Sequence, residues 1–88
     1  MNFFTNLFSA PRNYSAELIE INAKIDANPG IMADYDKRSE ILFQLGNAEA
    51  AIMDFDKATS LEPDGDVREL RNRELSDMKR RYSSSGDN

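Results

Sequence analysis

Between Met32 and Gly65 the apolar residues fall on two helical stripes. Tyr35, Leu42 and Leu45, with small Ser39 on the same face, recur at three- and four-residue spacings and stop at Gly46. Gly46 has no Cβ and so suits the left-handed backbone that closes a helix. A second stripe runs through Ala51, Ile52, Phe55, Ala58 and Leu61, and Pro63 ends it. Small side chains at Ser39, Ala51 and Ala58 would let two helix backbones approach closely. The pattern predicts an antiparallel helix hairpin with Ala51 and Phe55 in its core.

The chain also repeats itself. Pro29 and Pro63 are 34 residues apart, and the same shift aligns Ala16 with Ala50, Leu18 with Ile52, Glu20 with Asp54 and Ile21 with Phe55. It puts Tyr14 on Ala48 and Phe8 on Leu42. Carried forward, it puts Val67 on Ala33 and Leu75 on Ile41. Residues 66–82 open with Asp66 and Glu69 at capping-box spacing and carry a thin apolar set: Val67, Leu70, Leu75, Met78 and Tyr82. Such a helix suits the end of a stack, with one face packed and the other in water. Lys79, Arg80 and Arg81 complement the dipole at its last turn. Residues 83–88 read as a disordered tail.

Residues 32–65 resemble a tetratricopeptide repeat (TPR). Tyr35, Ser39 and Leu42 match the first-helix signature, Leu45-Gly46-Asn47 the turn, Ala51, Phe55 and Ala58 the second helix, and Pro63 the close. Arg38 departs from the family's leucine, which implies looser packing on the preceding helix. Ala48 departs from its aromatic. Residues 1–31 resemble a truncated repeat whose first helix is a stub ended by Pro11. The resemblance implies an all-α fold: a short TPR-like helical-hairpin solenoid in one domain, 1–82, of about five helices at 3–10, 14–28, 32–45, 48–61 and 66–81.

It also implies a concave groove that holds peptides or helices. The matching positions are Ala33, Asp36, Lys37, Glu40, Phe43 and Gln44. Two carboxylates there would repel the acidic tails that some family members grip, so a basic or apolar partner is expected, with Phe43 as its anchor. Phe3, Phe4 and Leu7 form a second candidate surface. Phe3 with Leu7, and Phe4 with Phe8, are spaced to share a face that either packs on residues 15–28 or meets a partner.

Composition narrows the chemistry. There is no Cys and no His, which removes disulfides, thiolate metal sites and every Ser-His or Cys-His pair. Asp54, Asp56, Glu62, Asp64 and Asp66 lack the calcium-loop spacing, and they are expected on exposed faces. No metal, cofactor, small-molecule substrate or enzymatic activity is expected. The net charge is −5 and sits in residues 32–65, which disfavours nucleic acid. The arginines of residues 66–82 are interleaved with Asp66, Glu69, Glu74 and Asp77, which are expected to neutralise them. No apolar run approaches the ~20 residues of a membrane span. Residues 1–11 carry no Lys or Arg ahead of their phenylalanines, so they do not read as a secretory leader. A cytoplasmic protein is expected.

The function expected is protein–protein interaction, as a small adaptor or accessory subunit. The alternative is a self-associating scaffold. About three repeats are needed for independent stability, so a partner or a second copy would supply the missing contacts.

Overall fold

The computed structural model describes residues 11–83, and over these the chain is all-helical. Four helices follow one another: α1 Tyr14–Ala27, α2 Met32–Gln44, α3 Ala48–Ser60 and α4 Gly65–Ser83. The expected helix over 3–10, with Phe3, Phe4 and Leu7, lies outside the described residues. Three helices end one residue earlier than the pattern predicted, while α4 runs to Ser83, into the expected tail.

Local chemistry fixes these boundaries. Asn13 and Asn47, one repeat apart, each begin a helix. Their side chains accept the amides of Ala16 at 3.0 Å and Ala50 at 3.2 Å. At the end of α2, Gly46 takes φ +82°, and Asn47 N–H bonds back to the Leu42 carbonyl at 2.8 Å. Gly46 N–H reaches the Phe43 carbonyl at 3.1 Å, completing a Schellman close. The start of α4 corrects the expected capping box. Asp64, not Asp66, is the cap, accepting from the amides of Asp66 at 2.9 Å and Val67 at 3.2 Å.

Each helix packs on the next: α1 on α2, α2 on α3, α3 on α4. Ala51 and Ala58 are fully buried, and Ser39 Oγ donates to the Ala51 carbonyl at 2.8 Å, so α2 and α3 meet closely at their small residues. The main cluster joins Ile21 and Ile25 of α1 with Tyr35 and Ile41 of α2 and Ala58 of α3; Tyr14, Leu18, Met32 and Leu61 pack against it. Tyr35 is buried and its hydroxyl donates to the Pro29 carbonyl at 2.7 Å, tying α2 to the turn before it.

Several expectations need correction. Leu45 is 41% exposed, whereas Ile41, absent from the predicted stripe, is 0% exposed. Phe55 is half-buried rather than core, because the Arg71 guanidinium covers its ring at 4.7 Å in place of an apolar neighbour. Val67, in the first turn of α4, and Leu70 are exposed, while Leu75 is buried and Arg71 and Met78 are half-buried. Asp54 is buried, not solvated. Its carboxylate accepts Arg38 Nε at 2.7 Å and Nη2 at 2.9 Å, while Arg38 Nη1 donates to Asn22 Oδ1 at 2.9 Å. The Asp54 hydrogen bonds raise the Arg38 pKa above its already high ordinary value. Arg38 therefore does not loosen the packing of α2 on α1. It links α1, α2 and α3 through one fork of donors.

Candidate interaction surface

The six expected groove residues lie on α2, but they divide into two sets. Ala33, Lys37, Glu40 and Gln44, at helical spacing, form an exposed stripe. Asp36 and Phe43 are half-buried and face α4. Arg71 of α4 donates to Asp36 Oδ1 at 2.5 Å, with Arg71 19% and Asp36 34% exposed. Arg71 Nε is buried without a hydrogen-bond partner among the described residues. The Phe55 ring beneath the guanidinium offsets part of that cost.

These contacts change the electrostatics expected of the surface. Asp36 is neutralised inside the stack. Glu40 stays on the exposed stripe, 3.8 Å from Arg12, which also forks onto Glu17 at 2.5 and 2.9 Å. The repulsion of acidic partners expected from Asp36 and Glu40 together is thus reduced to the exposed Glu40.

The Arg12 fork holds the Glu17 carboxyl below its ordinary pKa. A depressed carboxyl pKa contributes stability that is present above the unfolded value and lost as pH falls through the folded one. Arg12 is exposed and Glu17 only half-buried, so solvent screens the pair and the contribution is small. Arg12→Ala is expected to move the Glu17 midpoint upward in an NMR titration. An unmoved midpoint would show that the fork does not persist in solution.

The basic helix is largely neutralised, partly by partners outside it. Arg73 pairs with Glu69, and Arg80 is hydrogen-bonded to Asp77, whose other oxygen lies 3.9 Å from Arg81. Lys79 lies 4.0 Å from Asp56 of α3, and Arg68 donates to the Glu62 carbonyl at 2.6 Å.

Phe43 does not stand alone. Its ring meets Tyr82 of α4 with centroids 5.4 Å apart and planes at 43°. The pair lines a cavity of about 440 Å³ with Gly46, Ala48, Met78 and Arg81. The cavity lies where the α2–α3 turn approaches the last turns of α4. Sequence reasoning found Phe43 and missed Met78, Arg81 and Tyr82. The signal was present: residues 71, 75, 78 and 82 recur at helical spacing, the first three packed to different degrees and Tyr82 exposed at the end of the stripe.

Among the described residues no group of three or more acidic side chains is placed to hold a metal ion. No helix there is long and apolar enough to cross a membrane. Comparison with known proteins finds no matching family model, no matching curated protein and no matching solved structure.

Proposed function

We propose that this chain is a protein-interaction module built as a TPR-like helix stack, binding an apolar side chain of a partner polypeptide beside Phe43. The observation that carries this reading is the cavity formed by Phe43, Ala48, Met78 and Tyr82. It is concave and mostly apolar, with one cationic side chain at its rim, which is the form of a hot-spot pocket. The helix order and the close at Gly46 support the TPR-like part of the reading. The exposed stripe Ala33–Lys37–Glu40–Gln44 runs along α2 and offers polar contacts for the rest of the partner segment.

Selection of a random peptide library against the intact chain tests this. Enriched peptides should lose about tenfold or more in affinity on Phe43→Ala, the scale of one hot-spot side chain. The melting midpoint of the variant identifies any loss due to unfolding. Failure to enrich any peptide, or equal binding to folded Phe43→Ala, would remove the reading.

A further inference from the structure

We infer that the cavity beside Ala48 seats an aromatic side chain supplied by a partner polypeptide, next to a carboxylate of the same partner. The inference rests on the interaction reading above and names the chemistry of the ligand.

The chain contains its own comparison. The 34-residue shift lays α1 and α2 on α3 and α4 and puts Tyr14 on Ala48. At the first of these places Tyr14 is half-buried and packs against the core cluster. The Arg12 guanidinium lies 4.6 Å from its ring centroid. At the second place the side chain ends at Cβ, and the 440 Å³ cavity stands beside it. Its lining suits a ring. Phe43 and Tyr82 already form a tilted aromatic pair that a third ring can extend. Met78 supplies an adaptable thioether for ring edges.

The charge at the rim selects the flank. Arg81 lines the cavity, is 62% exposed and meets Asp77 at 3.9 Å, too far for a hydrogen bond. Its N–H donors can therefore take a carboxylate in a forked geometry, while its face covers the incoming ring as Arg12 covers Tyr14. A lysine or arginine beside the aromatic would meet like charge.

The probes are blocked tripeptides: phenylalanine between two glutamates, alanine between two glutamates, and phenylalanine between two lysines. Each is titrated into the ¹⁵N-labelled chain. The first should shift the amides of Gly46, Ala48 and Met78. The lysine peptide should bind about tenfold more weakly, as expected for one charge-assisted contact. The alanine peptide should leave those amides unmoved. Ala48→Tyr, which supplies the ring from within, should abolish the response while the melting midpoint holds or rises. Arg81→Glu, an exposed change that spares the core, should invert the preference between glutamate and lysine flanks.

An equal response to the alanine peptide, or an undiminished response in Ala48→Tyr, overturns the inference. So does concentration-dependent dimerisation that shifts the same amides without peptide, since the occupant is then a second copy. A library selection that enriches peptides lacking an aromatic–acid pair overturns this inference and leaves the module reading standing. Failure to enrich any peptide removes the module reading itself.

Discussion

Arg38→Ala should cost about 1–3 kcal/mol, because it strips a buried carboxylate of a forked, charge-assisted partner that is itself part-exposed. Asp54 then loses its countercharge, with the removed side chain opening it to water, and α1 loses its Asn22 contact to the same guanidinium. A core of this size rarely supplies more than about 3–5 kcal/mol in total, so the variant should lose a large share of its stability at 25 °C. The double variant Arg38→Leu with Asp54→Leu should regain most of the loss. Apolar replacement of both partners removes the desolvation penalty together with the pair, and it is often neutral or better. Urea denaturation of the two variants decides the matter. A single variant within about 0.5 kcal/mol of wild type would mean that the pair behaves like an exposed surface bridge.

This clamp also shows where sequence reading stops. Helix ends carry local signals: the close at Gly46 was legible, the caps at Asn13 and Asn47 went unread, and Asp66 was expected in place of Asp64. Asn13, Asn47 and Asp64 act on amides two or three residues away, and Gly46 acts through its own backbone. The Arg38–Asp54 pair joins residues 16 apart on two helices. Each is a surface residue by type, and only packing shows that one buries the other. Phe55 failed for a related reason. A large aromatic on the inner stripe was expected to meet apolar atoms, but Arg71 of α4 lies over it and reaches on to Asp36. An arginine stem and guanidinium can cover a ring while its donors serve a carboxylate, and hydropathy patterns do not register this.

The candidate site divides in the same way. Phe43 was found because the TPR resemblance marks its position, independently of what lies beside it. Met78, Arg81 and Tyr82 depend on the rotation of α4 about its own axis. Val67, Leu75, Met78 and Tyr82 recur at helical spacing on one arc of α4, with Leu70 to one side of it. The structure packs Leu75 and Met78 of that arc, while Val67 in the first turn and Leu70 remain exposed. The reason lies in Arg71, which on that face satisfies both Phe55 and Asp36. A thin apolar set did not fix the rotation by itself; one cation with two partners across the interface completes it.

Ile41→Ala should cost about 2–5 kcal/mol, the range for deleting a fully buried branched side chain, which is a large part of what a core of this size supplies. The predicted stripe on α2 used Leu45 and passed over Ile41, because it followed one narrow line of positions along the helix. A helix between two neighbours needs a wider apolar arc. Here α2 packs on α1 as well as α3, and Ile41 joins Ile21 and Ile25 of α1 to Tyr35 and Ala58. The repeat carries the same logic forward: Leu75, which the 34-residue shift places on Ile41, is 6% exposed on α4, against α3. Leu45→Ala is the matched control. It removes an apolar side chain of the same size from a site 41% exposed, and should cost under about 1 kcal/mol. Chemical denaturation of both variants, with far-UV circular dichroism as the readout, separates the two arrangements. Equal losses at the two positions, or a larger one at Leu45, would mean that α2 buries the narrow stripe and that α1 does not pack on it as described.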